Sequence, residues 1–199
     1  MNTLVKGTLI SGVVLLGASA IAVPAFAQGA GRGYMRGSAA SGVHTTATSS
    51  STSTVTLSAS EQQTLSYMLE EEKLAHDIYV KLYDAWGVNV FNNISKSESQ
   101  HQASLASAAT YFGLTNPSSS QLGVFTNQDL QNLYNTLLAK GLTSKTAAFE
   151  VGKAIEEQDI TDLQNAIQQS DSTYLNTVYS RLLNGSQNHL NAFNRQLNL

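Results

Sequence analysis

Apolar residues recur at spacings of three and four over most of the chain beyond residue 57, which is the pattern of one buried face of an α-helix. Ser58 and Glu61 form an S-x-x-E capping box at the start of the first such segment. No segment shows the period-two alternation of a strand. The pattern therefore predicts an all-α fold, a four-helix bundle whose second and third long helices are joined by a long crossover containing a short extra helix. The predicted helices cover residues 58–86, 91–112, 129–140 (the short one), 144–168 and 173–199.

Ionisable residues interrupt the apolar face of each long helix. On the second helix Glu98 and His101 continue a stripe that begins at Ile94 and ends at Phe112. The stripe of the fourth helix is predicted to include Tyr174, and on the first helix Glu70 and Glu71 are expected to point away from the buried face. The inward-facing ionisable residues predicted in this way are Glu72, Glu98, His101, Glu156, Asp159 and His189.

Burying these carboxylates without a counter-charge is costly, because each ionised carboxylate moved into a protein interior costs several kcal/mol. No Lys or Arg lies on the same faces at that level. Bound cations would neutralise the acids, and carboxylates combined with imidazoles suit iron or manganese, with zinc less specific. The six residues are therefore predicted metal ligands. Glu157 remains an alternative to Glu156, because a small rotation of the helix exchanges the two.

Residues outside this predicted domain indicate export. Lys6 is followed by an uncharged apolar stretch and then by Ala25 and Ala27, an A-x-A pattern that predicts a signal peptide at 1–27 cleaved before Gln28. A retained membrane anchor is the alternative. Residues 28–57 are mostly Gly, Ala, Ser and Thr, a composition typical of a disordered tether. The protein is expected to be secreted or periplasmic, without stable membrane insertion after cleavage.

The amino-acid composition excludes several kinds of catalytic and metal site. The chain has no cysteine, which excludes thiol catalysis, cysteine-ligated zinc and iron–sulfur clusters. Residues 58–199 carry 14 Asp and Glu against 8 Lys and Arg, a formal charge of −6. Such an acidic surface disfavours nucleic acid as a partner and favours cations.

Segments from each of the four long predicted helices resemble known protein families. "ESQH" (98–101) matches the Glu-x-x-His motif of the ferritin-like superfamily, and "EKLAHDIYVKLY" (72–83) and "EEQDITDLQNAI" (156–167) resemble the first and third helices of its rubrerythrin-type members. More narrowly, "EEEKLAHDIY", "VFNNISKSESQH", "EVGKAIEEQDITDL" and "GSQNHLNAF" resemble an uncharacterised bacterial and archaeal family, domain of unknown function 2202.

This resemblance implies a di-iron carboxylate centre, with manganese or zinc as alternative metals. Glu72, Glu98 and His101 would form one site, and Glu156, Asp159, His189 and the shared Glu98 the other. Ser186 stands where the superfamily has a second glutamate, which leaves a single-metal centre open. His76, Tyr79 and Ser186 are predicted to support the ligands from outside.

Three functions compete. The first is an oxidoreductase that oxidises iron or reduces peroxide or dioxygen. The second is a non-catalytic module that sequesters metal, and the third is a metal-free helical bundle that binds another protein. The sequence does not predict the oligomeric state.

Overall fold

The computed structural model describes residues 56–198, and this part of the chain is all-helical, without a strand. It contains five helices: α1 (Ala59–Trp86), α2 (Asn89–Tyr111), α3 (Gln128–Gly141), α4 (Lys145–Gln169) and α5 (Thr173–Leu197). The all-α prediction and its five helical segments are therefore confirmed. The predicted signal peptide and all of the predicted tether except Thr56 and Leu57 lie outside the described residues. Between residues 56 and 198, no helix is long and apolar enough to span a bilayer.

The helices begin where the sequence places capping residues. Ser58 accepts a hydrogen bond from the backbone N–H of Glu61, and the Glu61 side chain accepts one from the Ser58 backbone, so the predicted capping box is present. Ser144 and Ser172 cap α4 and α5 in the same way, each through its side-chain oxygen. Gly113, just beyond α2, has φ of +71°, a conformation that glycine adopts without strain.

The four long helices contact one another in a ring, α1 with α2, α2 with α5, α5 with α4, and α4 with α1. α3 lies in the crossover between α2 and α4 and packs on α1 and α4. The beginning of α1 shares a core with the end of α2, and the beginning of α4 with the end of α5, so α1 is antiparallel to α2 and α4 is antiparallel to α5. The crossover makes α2 and α4 parallel, because both begin in one core and end in the other.

Two apolar clusters fill the interior, one toward each end of the helices. The first, which we call core A, includes Ile78, Phe91, Val151 and Phe193 together with residues of α3. The second, core B, includes residues from all four long helices and also Leu57, which precedes α1. Its members include Leu65, Met68, Leu105, Leu163, Tyr179 and Leu182.

Polar residues lie between these clusters at a similar level on every long helix. On α2, for example, Glu98 and His101 lie between Ile94 of core A and Leu105 of core B. We call this level the polar layer; it comprises Glu72, Glu98, His101, Glu156, Asp159, Ser186 and His189, all of which are buried.

Two expectations about helix faces were wrong. Tyr174 is 41% exposed and stacks on Tyr111, because the buried face of α5 passes through Leu175 instead. Glu70 and Glu71 are both buried, since the crossover and α4 cover faces of α1 that the helical pattern assigned to solvent.

The crossover is held on α1 by polar side chains. Glu70 accepts hydrogen bonds from the backbone N–H groups of Thr126 and Asn127, at 2.6 and 2.8 Å. Lys73 forms a buried ion pair with Asp77 and donates to the carbonyl of Gln121, and Gly123 donates its N–H to Asp77. These contacts satisfy backbone groups of the loop, and the helical pattern of α1 does not predict them.

Candidate metal centre

The first group of candidate ligands joins α1 and α2. Glu98 and His101 are one helical turn apart, and Glu72 faces them from the neighbouring antiparallel helix. Nδ1 of His101 lies 2.8 Å from Oε2 of Glu98 and 3.2 Å from Oε2 of Glu72. We call Glu72, Glu98 and His101 the first triad; one ligand atom from each lies within 4.8 Å of the others.

The second group joins α2, α4 and α5. Nδ1 of His189 lies 2.8 Å from Oε1 of Glu98 and 3.4 Å from Oε2 of Glu156. Glu98, Glu156 and His189 form the second triad, again with ligand atoms within 4.8 Å of one another. Glu98 therefore belongs to both triads and offers a different oxygen to each histidine.

The donor set and spacing fit metal ions. Bonds from a metal to carboxylate oxygen or imidazole nitrogen are about 2.0–2.2 Å long, so two ligand atoms on one ion lie at most about 4.4 Å apart. The contacts of 2.8–3.4 Å within the triads fall inside this limit.

Unpartnered atoms support the same fit. Oε1 of Glu98 and Nδ1 of His189 are close but not aligned as a hydrogen bond, and neither atom makes a hydrogen bond to another group among residues 56–198. Oε1 of Glu72 is also buried without a partner in this part of the chain. Buried polar atoms are normally satisfied, so these three atoms point to a ligand. The two buried Glu/His triads could each hold a metal.

In the polar layer, burial and neighbouring charges shift the pKa values of the acids and of His189. Burial, and then the charges of neighbouring acids, raise the pKa of Glu72 well above its ordinary value. Burial and the charge of Glu98 likewise raise the pKa of Glu156 to about 8. Burial opposes ionisation of Glu98 too, but the two histidines outweigh it and lower the pKa of this carboxyl to about 2. Although burial disfavours the charged imidazole, Glu156 and Glu98 raise the pKa of His189 to about 10.

Neighbouring groups fix the orientation of the candidate ligands. The hydroxyl of Tyr79 donates to Oε1 of Glu156 at 2.6 Å. Nε2 of His189 lies 2.9 Å from the hydroxyl of Ser97, so this contact turns Nδ1 toward the acids.

Gly185 has a steric role beside the first triad. A Cβ at this position would lie 2.5 Å from Nε2 and 2.7 Å from Cε1 of His101. The missing side chain therefore makes room for the imidazole. The two histidine rings stack with their centroids 5.5 Å apart, so displacement of one would also disturb the other.

Asp159 and Ser186 are in the polar layer but in neither triad. The hydroxyl of Ser186 hydrogen bonds Oδ2 of Asp159, and Oδ1 of Asp159 has no partner among the described residues. Burial outweighs this hydrogen bond and raises the pKa of Asp159 to about 7. Asp159 thus lies in the polar layer but outside both triads, although it was predicted to be a metal ligand.

The structure distinguishes Glu156 from its alternative Glu157 and gives the position of His76. Glu156 is buried whereas Glu157 is exposed and pairs with Lys153, which places Glu156 inside. Nδ1 of His76 bonds to Asp77 at 2.8 Å, in the region that anchors the crossover, and not to a triad residue.

Sequence reasoning missed two polar residues at this level. Ser97 precedes Glu98 at the edge of the α2 stripe, and no periodicity distinguishes it from the other serines of that helix. Glu71 is buried beside the polar layer, and only the run of three consecutive glutamates gave a signal for it.

Known proteins share this sequence and shape. A family described as "Uncharacterized protein domain (DUF2202)" matches residues 61–199. The chain is 38% identical over 150 residues to the uncharacterized protein MJ0754 of Methanocaldococcus jannaschii, covering 75% of this chain and 81% of that one. The crystal structure of the hypothetical protein MJ0754 superposes with a TM-score of 0.70 at 39% identity, covering 71% of this chain and 81% of that chain.

Proposed function

The chain belongs to the DUF2202 family, and from that premise and the two buried triads we propose that it is an exported, ferritin-like metalloprotein with a di-iron or dimanganese carboxylate centre. Its activity is the oxidation of iron or the reduction of peroxide or dioxygen. The first triad holds one ion and the second triad the other.

The observation that carries this proposal is the position of Glu98. Its two oxygens each approach Nδ1 of a different histidine at 2.8 Å, from the middle of a layer closed by core A and core B. A carboxylate shared between two adjacent Glu/His sets is suited to bridging two ions.

Several features support a ferritin-like fold for this centre. The ring of four long helices, the crossover between α2 and α4, and the Glu98-x-x-His101 motif all match that arrangement. The α5 motif departs from it, because Ser186 replaces the second motif glutamate. The second site would therefore have three protein ligands, Glu98, Glu156 and His189, while Ser186 hydrogen bonds Asp159.

Iron or manganese, when bound, supplies the electron transfer that these side chains cannot perform. The residues of the chain bind, orient and exclude water. Tyr79 holds one oxygen of Glu156 and leaves the other toward His189, while Ser97 contacts the far nitrogen of that histidine. Neutral imidazole is required for metal binding, so His189 must give up the proton that Glu156 and Glu98 favour.

Export places this chemistry outside the cytoplasm. The predicted signal peptide and Gly/Ser/Thr-rich tether would leave the helical domain free to meet metal ions or peroxide beyond the membrane.

The test is anaerobic loading with Fe(II) followed by addition of peroxide or dioxygen, with oxidation followed by absorbance. The wild-type protein should bind two ions and oxidise them, and Glu98→Gln should lose most of both. Glu150→Gln is the matched control, because Glu150 is exposed and pairs with Lys140, far from the polar layer in the pattern of α4.

Other outcomes would select the competing functions. Tight binding without oxidation would favour the sequestering module. Protein that neither binds Fe(II) nor gains stability from it would contradict every metal-based account, and Glu98→Ala would then be neutral or stabilising, as expected of a metal-free interaction bundle.

A further inference from the structure

A buried hydroxyl without a partner lies in core B, at the end of the bundle where the chain enters α1. Tyr179 of α5 is fully buried there together with Leu57, and its hydroxyl makes no hydrogen bond to any group among residues 56–198. Buried hydroxyls in proteins are normally paired with another polar group or with an ordered water molecule. Tyr179 belongs to neither triad, so the proposed metal centre does not explain this hydroxyl.

The same tyrosine lines a small polar cavity between α1, α4 and α5. Ser60 and Thr64 line it from α1, and Gln169 lines it from the end of α4. The cavity leaves about 10 Å³ for the centre of a water-sized molecule. One buried water molecule requires about 10–15 Å³ on this measure and about two to four polar partners. The cavity therefore has the size and the polar lining that a single water molecule needs.

The end of α4 supplies hydrogen-bond acceptors for such a molecule. Ala166 and Gln169, both from the last turn of α4, line the cavity. The last four carbonyl groups of an α-helix have no partner within the helix. Ser170, which follows α4, has extended backbone angles (φ −99°, ψ 129°), so the chain leaves the helix without closing another turn over these carbonyls. A hydrogen-bond donor in the cavity can therefore pair with them.

The lining of the cavity suits a neutral molecule. Glu61 also lines it, but the carboxylate of Glu61 already accepts five hydrogen bonds from neighbouring groups. The donors are the backbone and hydroxyl of Ser58, the hydroxyl of Ser170, and the backbone N–H groups of Asp171 and Ser172. Because these donors satisfy the carboxylate, the cavity presents hydroxyl, amide and carbonyl groups and no unpaired charge.

We infer that this cavity is a binding site for one water molecule, which accepts a hydrogen bond from Tyr179 and donates to the carbonyls at the end of α4. The hydroxyls of Ser60 and Thr64 complete its surroundings on the α1 side. The water joins three helices at the end of the domain that contains Leu57. Since the site lies outside both triads, it is occupied in metal-free and in metal-loaded protein alike.

The sign of a stability change tests the site. If water pairs with the Tyr179 hydroxyl, Tyr179→Phe removes a satisfied hydrogen bond and should lower the Tm of the metal-free protein by about 2–5 °C. If the hydroxyl has no partner, the same change removes an unsatisfied buried group and raises the Tm. Tyr174→Phe is the matched control, because it makes the same change on α5 at a side chain that is 41% exposed. The Tm of this control should equal that of the wild type.

A crystal structure at a resolution that shows ordered waters identifies the occupant. The site predicts one water peak within hydrogen-bond distance of the Tyr179 hydroxyl in the wild-type protein. No density at that position, or an unchanged or raised Tm in Tyr179→Phe, would overturn the inference. So would a metal ion there, recognised by oxygen contacts shorter than those of a hydrogen bond.

Discussion

The stability of the metal-free protein should fall as the pH rises from 6.5 to 8, and bound metal should abolish or reverse this dependence. Glu156 has its pKa raised to about 8 and His189 to about 10, so both keep protons that the unfolded chain has released. Where the folded state binds more protons than the unfolded state, the free energy of unfolding decreases with rising pH.

The size of the effect follows from the number of protons involved. Each excess proton in the folded state contributes about 1.4 kcal/mol per pH unit. Because Glu156 and His189 are 3.4 Å apart and one can satisfy the other as an ion pair, we count between one and two excess protons from this pair. Burial also raises the pKa of Asp159, to about 7, and the pKa of Glu72, so protons on these acids make the fall steeper and the figure below a minimum. From pH 6.5 to 8 the free energy of unfolding should then fall by about 2–4 kcal/mol. For a domain of this size that corresponds to a drop in Tm of roughly 5–15 °C.

Metal loading should reverse the pH dependence of stability, because the metal ligands must be deprotonated. Binding releases the protons of Glu156 and His189, so metal affinity rises with pH and adds more stability at pH 8 than at pH 6.5. Thermal unfolding followed by circular dichroism, with a chelator or with excess Mn(II), measures both slopes.

A pair of adjacent residues supplies the control. Glu156→Gln should reduce the metal-free slope and raise stability at pH 8, whereas Glu157→Gln should leave the slope unchanged because its side chain is exposed. A metal-free Tm that is constant or rises between pH 6.5 and 8 would refute the reasoning, since the two groups would then hold no excess protons.

Three further substitutions test individual contacts. Gly185→Ala places a methyl group 2.5 Å from Nε2 of His101 and should weaken Mn(II) binding about 10- to 100-fold by displacing the ring; unchanged affinity by calorimetry would contradict this packing role. Tyr79→Phe removes the hydrogen bond to Glu156 and should lower the free energy of unfolding by about 1 kcal/mol. Urea denaturation measures it, and an equal or greater stability would argue against the bond. Glu70→Ala removes two loop hydrogen bonds and should cost about 2 kcal/mol without changing metal stoichiometry. Loss of metal in that variant would mean that the crossover helps to position the metal ligands.

The fold was largely accessible from the sequence because its signals are local. Capping residues such as Ser58, Ser144 and Ser172 mark helix starts through hydrogen bonds to their own first turns. The stripe from Ile94 to Leu105 follows from helix geometry alone. The burial of Glu70 does not, because it depends on a crossover whose path over α1 is set by contacts 56 and 57 residues away in sequence.

The residues of the triads likewise divide into a part that the sequence pattern predicts and a part that it does not. Periodicity predicted that Glu72, Glu98, His101 and His189 face inward, and the structure brings their side chains together. Periodicity could not distinguish Asp159 from the triad residues, because Asp159 lies on the same helix face as Glu156. Its side chain hydrogen bonds Ser186 instead. Rotamers and partners on another helix decide such a difference, and a helical pattern carries no information about them.

The most direct test of the account is the number of metal ions bound per chain, measured by elemental analysis after loading with Fe(II) or Mn(II) and removal of free metal. Wild-type protein should retain two, one for each triad, and His101→Ala should retain one, because His101 belongs only to the first triad. Wild-type protein that retains none, or a His101→Ala variant that still retains two, would contradict the two-triad centre.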